Sequence, residues 1–208
     1  MYSRKLRLWE AALMLALGLT LLAGGFSSAC RSALADRVLR LHVIANSDSP
    51  SDQALKLEVR DAVLEEATPL LAGTDSRSAA EEALTPHLEE LAQAGQAVLS
   101  AAGCDDRVTV SLADAWFPTK VYDGFSMPAG TYRALRVVIG EGRGQNWWCV
   151  VFPPLCLASV TEEVSEAAAL GGLSDDQVAL ITGQDGGYVL KFKLIEWWEE
   201  LLRTLGLS

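Results

Sequence analysis

Val38-Leu39-Arg40-Leu41-His42-Val43-Ile44-Ala45, running straight into Asn46-Ser47-Asp48-Ser49-Pro50, is the stretch that sets the architecture of this chain. Leu39, Leu41 and Val43 alternate against Arg40 and His42, the two-residue period of a strand with one drier face. The polar run after it is a turn into a helix, with Ser49 as N-cap and Pro50 at the first helical position, where an N–H would find no partner anyway. Leu55, Val59, Ala62 and Val63 then form an apolar stripe that carries the helix to about Ala67, where Thr68-Pro69 is expected to interrupt it.

Working outward toward the C-terminus, Ser78-x-x-Glu81 has the pattern of a capping box and opens a helical region that runs to Ala102, with a kink or restart at Pro86, Thr85 as its cap, and a stop at Gly103. Val108, Val110 and Leu112 alternate with Arg107, Thr109 and Ser111 as a half-buried strand. Trp116 to Gly130 reads as an aromatic loop with a short extended piece near Val121. Thr131–Ile139 and Trp147–Phe152 read as two strands whose glycine-rich connection, residues 140–145, suits a hairpin. The second is apolar throughout, the pattern of a central strand covered on both faces, and Pro153-Pro154 ends it. Residues 157–187 hold six acids, no bases and five glycines, the composition of an acidic, mobile insertion with short helices begun by Thr161 and Ser174. Tyr188, Leu190, Phe192 and Leu194 alternate with lysines, and Ile195, Trp198, Leu202 and Leu205 then take helical spacing, so residues 188–208 close as strand and amphipathic helix.

Upstream, Arg4, Lys5 and Arg7 precede a run free of charge from Ala11 to Cys30 that ends in small residues, the design of a secretory leader. The basic flank stays inside, which places the body on the far side of the membrane. Ala23-Gly24-Gly25 and Ser27-Ser28-Ala29 each offer a cleavage site, and an uncut run of ~20 apolar residues serves as an anchor, with membrane contact through residues 8–29. Cys30 suggests lipidation, but Ser27 stands where a lipoprotein needs a large aliphatic. Residues 1–30 are therefore a signal peptide or membrane anchor, and residues 31–156 the body. Helices cluster early and strands late, so the expected fold is α+β: after the signal or anchor helix, one domain with a mostly antiparallel sheet packed against two or three helices.

The net charge is −10 over 208 residues. Three positive charges and one negative leave with the leader, taking the body to −12. An acidic body without a basic cluster is repelled by phosphates, so no nucleic-acid partner is expected. No metal and no cofactor is expected either: His42 and His87 lack ligand spacing, and no dinucleotide, P-loop or nucleophile-elbow fingerprint occurs. The densest polar constellation is His42, Asn46, Ser47, Asp48, Asp52, Gln53, Lys56, Arg60 and Asp61, where Asp52, Lys56 and Arg60 stand at i, i+4 steps. It serves either as a capping and ion-pair network that positions the first helix, as a partner contact extended by Asn146 and Trp147, or as acid/base groups; no nucleophile is evident beside it. Cys149 and Cys156 flank Pro153-Pro154 and fit a disulfide or two buried thiols equally, with Cys104 left over. Trp147-Trp148 reads as core and sheet face, and Trp197-Trp198 docks on the domain's own sheet or meets lipid or a partner.

These blocks together are familiar. Leu41-His42-Val43 with Ala45-Asn46-Ser47-Asp48, then Asp52-Gln53, Lys56 and Val59-Arg60-Asp61, resemble the stage II sporulation protein R family of endospore-forming bacteria. Phe117-Pro118-Thr119 with Tyr122, Pro128-Ala129-Gly130 with Tyr132, Gly140-Glu141-Gly142, Gly144-Gln145-Asn146-Trp147-Trp148-Cys149-Val150 and Phe152-Pro153-Pro154-Leu155-Cys156 fit the same family, in order, from about Arg40 to Cys156. The resemblance implies a non-enzymatic signal, made in the forespore and exported into the space between forespore and mother-cell membranes. There it would trigger a membrane-embedded aspartic protease that removes the pro-sequence of sigma-E. An envelope hydrolase using His42, Asp48 or Asp52 on wall polymer, and a passive extracytoplasmic scaffold, are the competing readings.

Overall fold

A computed structural model describes residues 13–15, 18, 32–122, 124–155 and 161–182. The chain divides into two units, residues 1–34 and 35–208. In the first, the described residues are helical; the expected cleavage sites and Cys30 lie outside the described residues, as do Cys156 and the expected strand and helix of residues 188–208. Among the described residues, no helix is long and apolar enough to cross a membrane.

The second unit is α+β. Strand β1, Leu39–Ile44, leads into helix α1, Pro50–Leu71, then α2, Arg77–Leu84, a 3-10 turn at Thr85–His87, and α3, Leu88–Ala101. Five strands follow: β2, Val108–Phe117; β3, Lys120–Tyr122; β4, Phe125–Met127; β5, Gly130–Ile139; and β6, Asn146–Phe152. Two short helices, α4 at Thr161–Leu170 and α5 at Asp175–Thr182, complete the described chain. The main sheet has the order β2-β5-β1-β6; β1 is parallel to β5, and the other two pairings are antiparallel. β3 and β4 form a separate antiparallel ribbon.

Odd-numbered positions of β1 and β5 supply the core. Leu39, Leu41, Val43, Leu135, Val137 and Ile139 pack with Val59, Val63 and Ala67 of α1, Ala80 and Leu84 of α2, and Leu91 and Leu99 of α3. One face of the sheet is thus sealed by helices through ordinary apolar burial.

Local chemistry explains where the sequence expectations fail. Ser49 caps α1 through Asp52 N and Pro50 opens it, as expected, but the helix runs through Pro69 to Leu71. Pro69 lies in the last turn, so its missing N–H removes only one intrahelical bond there. The next cap is Ser76, which accepts from Ala79 N, instead of Ser78, and Glu81 turns to Arg77 and Arg133. The helix restarts after Pro86, yet Thr85 donates to Glu81 O and caps nothing. Gly103 stops α3 at a φ of 70°, a conformation that suits glycine.

The sheet differs from expectation in four places. β2 continues to Phe117 and pairs with all of β5, so Trp116 and Phe117 of the expected aromatic loop are strand, while β3 supplies the extended piece expected near Val121. β5 and β6 are not a hairpin, because β1 lies between them; six connecting residues suffice to step over one strand, a span of ~10 Å. Among the described residues β6 has a strand neighbour on one side only, β1, where the sequence suggested a central strand. Lastly, β1 has no wet face: all six of its residues are buried, Arg40 and His42 included.

α4 and α5 begin where Thr161 and Ser174 suggested, with Ser174 Oγ accepting from Gln177 N. Val164 and Ala168 are buried, Gly171 lies so close to the Pro153 ring that a Cβ there would collide with it, and Ser126 Oγ donates to Ile181 O.

Candidate functional site

The polar constellation read from the sequence sits at the C-terminal end of β1, and much of it is spent on locking two loops together. Asn46 Oδ1 accepts from Glu141 N at 2.9 Å, and Asn46 Nδ2 donates to Asp52 Oδ2 at 3.3 Å. Ser47 Oγ donates to the same carboxylate at 2.6 Å, while Gln53 Nε2 donates to Ser47 O at 2.8 Å. Asp48 Oδ1 accepts from Gln145 N at 2.8 Å, and Lys56 Nζ reaches Gln53 Oε1 at 2.6 Å and Gln145 O at 3.1 Å. Gly144 N closes the seam on Ala45 O at 2.9 Å, with its Cα so close to Ser47 O that no side chain fits.

These contacts fix the electrostatics. Hydrogen bonds from Ser47 first, then from Ser49 and Asn46, hold the Asp52 carboxyl below its ordinary range. Burial pushes the Lys56 ammonium down, with Asp48 opposing and Arg60 reinforcing the shift. The expected ladder of Asp52, Lys56 and Arg60 does not form. Lys56 turns to the β5–β6 connection, and Arg60 pairs with Asp61 at 2.7 Å and lies 4.5 Å over the Trp147 ring.

His42 and Asn146 are brought together on the opposite face of the sheet, His42 Nε2 to Asn146 Oδ1 at 2.8 Å. His42 is 8 % exposed, stacks at 6.1 Å on Trp148, and leans on Phe117 at 5.6 Å. Burial keeps its imidazole below the ordinary pKa; the Asn146 bond opposes this, and the charges of Arg136 and Arg40 add to it. Beside it lies the residue whose role sequence reasoning missed. Arg40, fully buried, donates through Nε to Cys149 O at 2.8 Å and through Nη2 to Tyr122 Oη at 2.9 Å, between the rings of Phe117 (4.3 Å) and Tyr132 (5.0 Å). Tyr122 in turn donates to Trp148 O at 2.8 Å, so the β3–β4 ribbon is pinned across β1 onto β6. The sequence carries no local signal for it: Arg40 stands as one base in an apolar strand, and the rings that cage it, Phe117, Tyr122 and Tyr132, lie far along the chain.

The predicted residues therefore fall into three groups. Asn46, Ser47, Asp48, Asp52, Gln53 and Lys56 form the loop lock. Arg60, Asp61 and Trp147 form a patch beside β6, and His42 with Asn146 lies on the face opposite the helices. Cys149 is disulfide-bonded, and Cys104 is a free thiol 3.5 Å from Asp106; Cys156, the expected partner of Cys149, lies outside the described residues. Among the described residues, no three His, Cys, Asp or Glu side chains are grouped so as to hold a metal ion. His87 pairs with Glu90 at 2.6 Å, away from this region.

Residues 35–162 match the family model described as stage II sporulation protein R. The chain is 31 % identical over 183 residues to stage II sporulation protein R of Bacillus subtilis (strain 168), covering 80 % of this chain and 82 % of that one. No solved structure matches it. The matched region contains β1 through β6, the loop lock and the caged Arg40, and the chain belongs to the stage II sporulation protein R family.

Proposed function

We propose that this chain is an exported sporulation signal whose folded body contacts a membrane-embedded aspartic protease in the mother-cell membrane, and that this contact triggers processing of pro-sigma-E. The observation that carries the reading is membership of a sporulation family in a chain whose body follows a basic-flanked apolar leader. Activation needs no chemistry from the signal: a body that binds the protease better in its active state shifts that equilibrium by the difference in affinity. The surface favoured for the contact is the Arg60, Asp61 and Trp147 patch with the exposed Asn146 next to it on β6, and buried His42 holds Asn146 from behind. The neighbouring lock residues hold this surface in shape.

The chemistry at His42 and Asp52 supports a signal over an envelope hydrolase. The imidazole faces Asn146, Phe117 and Trp148, and the Asp52 carboxylate is taken up by Ser47 and Asn46. Purified protein incubated with wall fragments separates the two readings. No release of fragments is expected, and turnover lost in His42→Ala would move the assignment to the hydrolase. Replacing the leader by a cleavable heterologous signal peptide should preserve sigma-E processing; loss of processing would favour an anchored scaffold.

A further inference from the structure

The face of the sheet opposite the helices carries one row of side chains in register: Ser111 of β2, Arg136 of β5, His42 of β1 and Trp148 of β6. Three neighbours in that row hold a nitrogen that is shut off from solvent yet has no hydrogen-bond partner: Arg136 Nε, His42 Nδ1 and Trp148 Nε1. Arg40 Nη1, one row along, is a fourth. Among the described residues only one other side-chain atom shares this condition, Arg77 Nε, near Glu81 on the helix side. Folded proteins leave few buried polar atoms unpaired, so four on one face mark a place where a partner belongs.

The same face is cationic. Lys120 Nζ stands 4.2 Å over the Trp148 ring, and Arg136 and the buried Arg40 lie on the same face. Among the described residues none of these three pairs with a carboxylate, whereas Arg60, Arg77, Arg133 and Arg143 all do. In a chain of net charge −10 this is a concentration of positive charge against the composition. His42, kept below its ordinary pKa mainly by burial, is an imidazole that an arriving anion would drive toward the charged form.

We infer that the Arg136, His42 and Trp148 row is the seat of a carboxylate carried by an acidic segment of a partner polypeptide. The inference rests on the reading that the domain acts by contacting another protein. A carboxylate accepts from Arg136 Nε and Trp148 Nε1 and stabilises His42 as imidazolium, so one group satisfies atoms that the fold leaves unpaired. Arg136 and Trp148 are only half-buried, so a turn of either side chain outward opens the row.

The probe is a blocked tetrapeptide, acetyl-Gly-Glu-Glu-Gly-amide, against its glutamine counterpart, titrated into the full-length protein and followed by tryptophan fluorescence and by the NMR titration of His42. The glutamate peptide should bind, the glutamine peptide should not, and the His42 pKa should rise on binding. Arg136→Gln and Trp148→Phe should each weaken binding roughly tenfold or more, the cost of one charge-assisted hydrogen bond. Trp148→Phe keeps a ring beside His42 and under Lys120, so it reports the lost N–H even if Arg136→Gln unfolds. Equal binding of both peptides, or none by the unaltered chain, overturns the seat. Binding that emerges only after Glu196, Glu199 and Glu200 are changed to Gln would mean that the chain's own tail fills the row, and it overturns the partner. If peptide binding fails while the protein still triggers pro-sigma-E processing, only this inference falls; if processing fails with peptide binding intact, the proposed function falls instead.

Discussion

A guanidinium without a carboxylate beside it is an expensive thing to bury, and at Arg40 two charge-assisted hydrogen bonds and two aromatic faces replace much of the water, leaving Nη1 unpaired. Burial still depresses its pKa, with Tyr122 and Tyr132 opposing the shift. Arg40→Ala should cost about 3 kcal/mol or more in urea unfolding, because it leaves a large void and strips Cys149 O and Tyr122 Oη of a partner. Arg40→Lys should not rescue it, since an ammonium cannot reproduce the flat fork between two rings. His42 and Asp52 set the acid response. The folded imidazole is shifted down, so its contribution is full above the unfolded value of about 6.5 and is lost as pH falls toward the lower folded value. Asp52, also shifted down, contributes above the ordinary carboxylate value and loses that only as pH falls through its lower folded one. Stability against pH should therefore decline in two separate steps, and His42→Gln should flatten the upper one alone; a single step below pH 4 would contradict this. For the partner patch, Arg60→Glu is the informative substitution. It loses an exposed pair and a ring contact worth about 1 kcal/mol, and it should reduce sigma-E processing in sporulating cells while the fold persists. Lys56→Glu should unfold the protein first, since it sets a carboxylate against Gln145 O and Gln53 Oε1.

Among the elements, the connection between β5 and β6 is the joint on which the site depends. Gly144 lies against Ser47 O and Ala45 Cβ, so Gly144→Ala should force the loop off β1 and cost about 2 kcal/mol. Gly103→Ala, whose added Cβ meets open space, should cost about 1 kcal/mol for its positive φ alone. Equal midpoints for the two variants in the same urea titration would contradict the lock. How much of these elements the sequence disclosed follows from the range of each signal. Ser49 and Pro50 act within one turn, and the restart at Pro86 and the stop at Gly103 are equally local, so all were legible. The pairing of β5 was not: two apolar runs joined by glycines look like a hairpin, and only residues far away, Asn46 and Asp48 reaching Glu141 N and Gln145 N, show that β1 lies between them. For the same reason Arg40 read as the wet side of a strand. The three rings that cage it come from β2, β3 and β5. The site was legible as a list and not as a shape, since nothing in the spacing of His42, Lys56 and Arg60 tells that a sheet separates the first from the other two.

For the molecule as a whole, an acidic body carrying a disulfide at Cys149 suits an oxidising space beyond the membrane. Pairing with Cys156 would close a short loop around Pro153-Pro154. Peptide mapping of the unreduced protein should recover Cys149 joined to Cys156, and recovery of Cys149 joined to Cys30 would instead tie the N-terminal segment to the sheet. On the proposed reading the body signals by its shape: helices on one face of the sheet, a cationic row on the other, and a locked joint that keeps the Arg60 patch and the row in register. Its central claim is that this body, from outside the membrane, makes a protease act. The direct measurement is reconstitution of the membrane-embedded protease in vesicles, with pro-sigma-E on the cytoplasmic side and the exported body added to the other. Processing should begin only when the body is present, and should weaken with Arg60→Glu. Processing at the same rate without it, or an unchanged absence of processing with it, would contradict the account.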